Sequence, residues 1–389
     1  MANELAFALM TPYSLMKSRT GGIIGRFLIR TGLNLVGTRM IAPSKETVER
    51  YAKLLRRHGN PTGSGIDEDE LLSRYVLDAF MPDRETGKRR RVMLLLFEGE
   101  NAIERVNRAL GHFRDSIPSA ESVRDTYGDL IRDAAGNVVF LEPAAISSPT
   151  QEQTAEALRL WVDVSQDDSR ILDNLIDLPE GDDIEQTLVM LKPDNFKFAS
   201  MRPGTIIDIF SGSGLRIVGA KIDRMSVGEA LEFYGPVRDV LRKKMIEPAG
   251  KQCRSAIEKE IGLTLPELIE TELGKMIGPL VGDRQFNEVV HFMTGVWALD
   301  CSAEKRDEPG QSRILALVYS GKNAVKKIRD ILGPTDPSKA APGSVRKEYG
   351  QDVMVNAAHA SDSPENAQRE MRIIKIQRDS VQKLLQQYY

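Results

Sequence analysis

Short apolar blocks recur along this chain twice, in the same order. The stretches LAFALMTPYSLMKSRTGGIIGRFLIRTGLNLVGTRM at 5–40 and LVMLKPDNFKFASMRPGTIIDIFSGSGLRIVGAKI at 188–222 share one pattern. Each predicts a buried strand ending at a proline (Pro12, Pro193), a polar loop, a helical run opened and closed by glycine, and a second strand. RVMLLLFEGENAIERVNRALG at 91–111 and RILALVYSGKNAVKKIRDILG at 313–333 each predict a strand, a tight turn and an amphipathic helix stopped by glycine. ESVRDTYGD then pairs with GSVRKEYGQ, and AAISSPTQEQTAEAL at 144–158 with AAHASDSPENAQREM at 357–371. Four blocks in matching order imply a duplicated domain, each copy folding its strands into one sheet covered by helices.

The acidic run SQDDSRILDNLIDLPEGDDIE offers few core residues and reads as the connection. The expected division is a first domain at 1–164, a linker at 165–185 and a second domain at 186–389. A length of 389 residues suits two cores. The second copy also carries extra material at 243–285, where SAIEKEIGLTLPELIETELGKMIG is helical in pattern. CSAEKRDEPGQS, further on, reads as a long hairpin tip.

Composition narrows the function classes. With 41% hydrophobic and 28% charged residues the chain is of the soluble globular type, and a formal charge of −3 leaves no broad cationic face for nucleic acid. The run Lys88, Arg89, Arg90, Arg91 stands between a turn and an apolar strand and reads as a solvated strand end. Cys253 and Cys301 form neither a disulfide framework nor a metal-ligand spacing, which suits a reducing compartment. ELAFALMTP has an acid where a signal peptide carries a base, and its apolar run is too short to span a bilayer. The expected location is the cytoplasm, with neither membrane nor nucleic acid as partner.

His359 differs in context from the other histidines. Its neighbours Ala357, Ala358 and Ala360 are small, and beyond it Asp362 or Ser363 can cap a helix with Pro364 at its first position. In that helix Ala367, Met371 and Ile374 recur as one buried stripe, and Glu370 falls on it. An inward carboxylate needs a partner. If Glu370 holds one ring nitrogen of His359, the other keeps its lone pair for nucleophilic work; the alternative is a core histidine paired for structure alone.

Comparison of the copies weighs against that alternative. Ile146 stands where His359 does, and Ala157 where Glu370 does, so both partners vanish together. Lys192, Arg329 and Thr335 are matched by Thr11, Asn107 and Phe113. Cations and a hydroxyl are what a phosphate-handling site requires. Arg124 and Arg346 occur in both copies, which marks that arginine as partly structural.

Asn356-Ala-Ala-His359-Ala-Ser361-Asp362-Ser363-Pro364 resembles the active-site signature of the nucleoside diphosphate kinases. Lys192-Pro193-Asp194 resembles that family's first-strand lysine motif, and NAVKKIRDILGPTDP and APGSVR its phosphate-binding segments. The resemblance covers most of 186–375; the first copy shares the backbone pattern and lacks the chemistry. It implies an α+β protein of two ferredoxin-like (βαββαβ) domains, each an antiparallel four-stranded sheet covered by helices. It also implies ping-pong transfer of the γ-phosphoryl group from ATP or another nucleoside triphosphate to a nucleoside diphosphate through phospho-His359. Lys192, Arg329, Thr335 and Arg346 would clamp the phosphates together with Mg²⁺ carried on them. Asn356 would bind the ribose side and the His359 nitrogen, Ser361 and Glu370 would orient the ring, and Phe286 and Tyr234 are the candidates for base stacking and for a tyrosine near the phosphates. The 243–285 insertion lies between those two, where the family keeps a compact helical lip over the base. A fused inactive copy implies a pseudo-dimer as the building block of a homo-oligomer.

Two other readings stand beside this one. The duplicated fold can serve as a non-catalytic nucleotide-binding or scaffold protein. A histidine phosphotransfer module is disfavoured, because such a module carries its histidine on a bundle helix, whereas His359 follows the strand-like DVMVNAA. The first copy is an allosteric nucleotide sensor or a structural half.

Overall fold

The structure is a computed structural model, described for residues 3–57, 68–113, 120–167, 171–181, 183–378 and 381–389. The first half runs β1 (Asn3–Met10), α1 (Pro12–Met16), α2 (Thr20–Thr31), β2 (Asn34–Ile41), α3 (Lys45–Arg57), α4 (Glu68–Ala79), β3 (Val92–Glu100), α5 (Ala102–Leu110) and α6 (Val123–Tyr127). It closes with β4 (Asp129–Arg132), β5 (Val138–Glu142), β6 (Ala145–Ile146) and α7 (Gln151–Asp167). The second half runs β7 (Ile184–Leu191), α8 (Arg202–Ser211), β8 (Arg216–Asp223), α9 (Val227–Lys244), α10 (Ile246–Ile261), α11 (Glu267–Thr294), β9 (Ile314–Lys322), α12 (Ala324–Leu332), α13 (Val345–Tyr349), β10 (Ala358–Ala360), α14 (Pro364–Ile373) and α15 (Val381–Tyr388).

Two four-stranded sheets result, ordered β2-β3-β1-β6 and β8-β9-β7-β10. β3 pairs antiparallel with both β1 and β2, so these two run the same way on either side of it. The halves agree even in unusual backbone: Asn101 and Asn323 open α5 and α12 at φ 52° and 53°, and Ala144 and Ala357 stand at 60° and 69° before the last strands. Alternation along β1 covers both of its faces. Leu5, Phe7 and Leu9 join a core with Tyr51, Trp161 and Val381, while Phe97 on the other face of β3 meets Phe27 of α2 with ring centroids 5.4 Å apart.

Val381 belongs to the last helix, so the C-terminal segment returns to the first sheet. Tyr389 donates its hydroxyl to the Leu5 carbonyl at 2.6 Å, and Leu384, Leu385 and Tyr388 pack on the same core.

By contacts the chain divides into residues 1–223 with 315–389 as one unit and 224–314 as another, so both sheets share a unit. α2 and α8 cross where Gly21 meets Gly204: a Cβ on Gly204 would strike the Gly21 carbonyl and lie 2.6 Å from the Gly25 amide nitrogen. The acidic connection hides an apolar register. Leu172 and Leu175 are each 1% exposed, and the Leu172 N–H donates to the Val218 carbonyl at 2.8 Å.

Arg91 corrects the reading of its run as a solvated strand end. It is buried, paired through two nitrogens with Asp177 and donating to the Ile217 carbonyl at 2.6 Å, because the connection brings a carboxylate to it. In the second unit the 301–312 excursion forms a 3-10 turn, Ala303–Lys305, instead of a strand hairpin. It is tied down by the Gly310 and Gln311 N–H groups, which donate to Met225 and Thr294. Among the described residues no helix is long and apolar enough to cross a membrane.

Replacing Gly204 with alanine forces the two helices apart. The expected cost is about 1–3 kcal/mol, read as a lowered urea midpoint with far-UV circular dichroism unchanged in the native baseline.

Candidate active site

β10 is three residues long and is held by pairing with β7, His359 opposite Met190. The left-handed turn at Ala357 aims its carbonyl back at the end of β7. There it accepts the Lys192 N–H at 3.0 Å and the Asn195 side-chain amide at 2.7 Å. This fixes where His359 begins.

Helix α14 carries its partner. Ser363 caps it by accepting the Asn366 N–H at 3.1 Å, with Pro364 in the first turn. At the other end the buried Lys221 ammonium donates to the Ile374 carbonyl at 2.8 Å and the Lys375 carbonyl at 3.2 Å. Ala367, Met371 and Ile374 are buried, and Glu370 among them is 5% exposed. Glu370 Oε2 lies 2.9 Å from His359 Nε2 and accepts the Ser361 hydroxyl at 2.6 Å. The imidazole side chain is 21% exposed, so the acid is enclosed and the ring reaches the surface.

Lys192 is buried and donates to Asn356 Oδ1 at 2.6 Å and to the Met354 carbonyl at 2.9 Å. Burial, then the nearby charge of Arg346, lowers its ammonium from the ordinary 10.5 to about 8. Asn356 is itself 1% exposed and spends both amide protons on the Thr335 and Val353 carbonyls at 3.0 and 2.9 Å. Its hydrogen bonds therefore go to Lys192 and the backbone, not to the His359 ring.

Arg346 donates to the Gly333 carbonyl at 2.9 Å and to the Ala358 carbonyl, beside His359, at 3.2 Å. Arg329, in the last turn of α12, and Thr335 are exposed. Tyr234 and Phe286 belong to the other unit. Tyr234 is buried against Phe233, with ring centroids 4.9 Å apart. Phe286 is 3% exposed with the Arg238 guanidinium 5.7 Å from its centroid, so its ring presents no open face for a base.

Arg202, Asp194 and Asn195, none of them among the expected site residues, brace the Lys192 turn. Arg202 donates to Asp194 Oδ2 at 2.6 Å, to Asn195 Oδ1 at 2.8 Å and to the Tyr349 carbonyl at 2.8 Å. The signal available was the change from Tyr13-Ser14 to Asp194-Asn195 immediately after the lysine position.

A nucleoside diphosphate kinase family model matches residues 282–378. A nucleoside diphosphate kinase of Campylobacter hominis is 30% identical over 188 residues, which cover 48% of this chain and 93% of that enzyme. One from Pyrobaculum aerophilum is 31% identical over 199 residues, covering 49% of this chain and 93% of its own. The chain belongs to the nucleoside diphosphate kinase family. A crystal structure of the Aquifex aeolicus nucleoside diphosphate kinase covers 49% of this chain and 94% of its own at 28% identity, with a TM-score of 0.30. The segment matched by the family model holds His359, Ser361, Glu370, Asn356, Arg346, Thr335, Arg329 and Phe286; Lys192 and Tyr234 precede it.

Within this family member the matching positions of the first half bond to that half's own residues. Glu142, 2% exposed, accepts the hydroxyls of Thr11 and Tyr75 at 2.6 Å each and the Ala144 N–H at 3.0 Å. Burial raises its carboxyl above the ordinary range, against the pull of those donors. The Phe113 ring covers Arg124 at 4.1 Å, and burial lowers that guanidinium to about 10. Asn107 donates to the Ile103 and Ser148 carbonyls at 2.8 Å each, and Ile146 and Ala157 are buried.

Lys192 is expected to titrate near 8. Nitrogen-15 lysine NMR across pH 6–11 reads this directly.

Proposed function

We propose that this nucleoside diphosphate kinase family member transfers the γ-phosphoryl group of a nucleoside triphosphate to a nucleoside diphosphate through phospho-His359. The observation that carries the reading is the 2.9 Å contact between His359 Nε2 and a buried Glu370 oxygen that also receives Ser361. With the proton on Nε2 and donated to Glu370, the lone pair resides on Nδ1. Nδ1 attacks the γ-phosphorus, the bond to the β–γ bridging oxygen breaks, and the diphosphate leaves with that oxygen. The imidazolium charge that develops is met by Glu370. A terminal oxygen of the acceptor diphosphate then attacks the phosphohistidine and regenerates the neutral ring.

Lys192, Arg329 and Arg346 supply positive charge for the phosphates, and the Thr335 hydroxyl a neutral donor. Mg²⁺ arrives on the nucleotide's phosphates as part of the substrate and offsets their charge. Asn356 acts here by holding the Lys192 ammonium, as its bonds indicate. The strand order supports the ferredoxin-like assignment of each half, with 1–164 and 186–389 as the duplicated domains, 165–185 as their connection and the chain as the pseudo-dimeric unit of any homo-oligomer. The first half is read as a structural partner with no nucleotide of its own, because an internal carboxylate and the Phe113 ring engage its matching positions.

Incubation with γ-labelled ATP and Mg²⁺ is expected to give an acid-labile phosphoenzyme that passes its label to a diphosphate. His359→Ala is expected to lose turnover by at least about a thousandfold. Label retained by the variant rejects the nucleophile, and labelling without onward transfer favours the scaffold reading. Calorimetry with Mg·ADP is expected to give one site per chain, with none left in Lys192→Ala/Arg346→Ala. A second site, or one that survives this double change, returns the first half to the role of a nucleotide sensor.

A further inference from the structure

Asp194 is a buried acid that the mechanism above does not use. Its side chain is 4% exposed; Oδ2 takes the Arg202 guanidinium at 2.6 Å, while Oδ1 has no hydrogen-bond partner among the described residues. An enclosed carboxylate oxygen without a donor is expensive, and a fold does not keep one for packing. The other half of the molecule shows that the fold does not require it. There Tyr13 occupies the position, and Arg19 still donates to the Tyr127 carbonyl at 2.6 Å, as Arg202 does to Tyr349. The arginine clamp on the α6 or α13 end is shared. The acid is peculiar to the half that carries His359.

Asp194 lies two residues past Lys192, in a turn closed by the Asn195 N–H and side-chain amide, both donating to the Lys192 carbonyl at 3.1 and 2.9 Å. Arg202 grips Asp194 and Asn195 together, which fixes the carboxylate within the turn that follows the lysine. We propose that Asp194 is a positioning residue: held by Arg202, its enclosed carboxylate supplies the fixed negative charge that keeps the Lys192 ammonium protonated and in place for the substrate's phosphates. The inference rests on the phosphate-binding role given to Lys192 above.

The charges around that ammonium set the sign of the effect. Arg346 on α13 and burial favour the neutral amine; Asp194 on its own turn and Asp352 before β10 favour the cation. Lys197 and Arg202 bear on Lys192 through Asp194. Removing the Asp194 charge makes the proton easier to lose, so a function that needs the cation fails at lower pH.

The test is kcat/KM for phosphoryl transfer between pH 6 and 10. In the wild-type chain an alkaline limb is expected near 8, and Lys192→Arg, whose guanidinium stays charged, should abolish that limb. Asp194→Asn should move it down by about one pH unit, and Asp194→Glu, which keeps the charge, should leave it in place. Asp194→Ser, smaller and equally neutral, replaces the asparagine variant should that not fold. A neutral variant whose kcat/KM falls by the same factor at every pH, with the limb unmoved, overturns the proposal and leaves Asp194 a brace. An inactive wild-type chain is a different failure: it removes the transfer reaction, and this inference with it.

Discussion

The carbonyl of one alanine in a left-handed turn is the constraint on which the second half's chemistry depends. Ala357 turns its oxygen toward the end of β7, where a backbone and a side-chain donor both hold it. That docking sets the register of β10, which is too short to be secured by its own ladder. It decides which residue faces α14. A non-glycine residue at positive φ is unfavourable and persists only where its surroundings over-determine it. The first half keeps the same device: Ala144 receives the Thr11 N–H at 3.2 Å and the Ser14 hydroxyl at 3.1 Å. The backbone feature that delivers the histidine is therefore independent of the presence of a histidine.

Given a similar backbone, the halves contrast a polar site with ordinary core at matching positions. Polar partners are lost in pairs, since removing both members of a buried hydrogen-bonded pair costs little and removing one strands the other. His359 and Glu370 give way to Ile146 and Ala157, both enclosed. Where a cation is retained, a new neighbour absorbs it, as Phe113 and Glu68 do for Arg124. Where the second half has Lys192, the first has Thr11, which joins Tyr75 in satisfying Glu142. Each change is local, and each leaves the matching position enclosed or bonded within the half.

The parts legible in the sequence were those written at short range. Strand blocks, glycine stops and the stripe that carries Glu370 depend on residues a few positions apart, and the duplication supplied an internal control for each. The His359–Glu370 contact was readable because a stripe on one helix and a strand ending just before it leave few arrangements. Long-range pairings left no such trace. Nothing near Arg91 announces Asp177, 86 positions away, and nothing in SVQKLLQQYY says that it closes a core begun by Leu5, Phe7 and Leu9. The connection misled for a related reason: acidic composition masked the two leucines that anchor it. The expected bond from Asn356 to the His359 ring is replaced by bonds to Lys192 and two backbone carbonyls, because an amide with several partners to choose from does not disclose its choice by position.

Subtracting what the halves share isolates what the second half keeps for a purpose. The Arg19/Arg202 clamp, the Arg124/Arg346 bond to a glycine carbonyl and the alanine turn are common and belong to the scaffold. What remains is Lys192 with the shared Arg346 close by, beside a histidine that an acid holds from behind. Such a gathering is unfavourable on its own, as the lowered Lys192 ammonium records: burial and a like charge outweigh two carboxylates. In the proposed reaction the nucleotide's phosphates are the missing counter-charge. Binding them relieves repulsion already built into the fold, so the protein is arranged for the anion before it arrives. The first half has a carboxylate of its own at the matching position, where Glu142 accepts the hydroxyls of Thr11 and Tyr75.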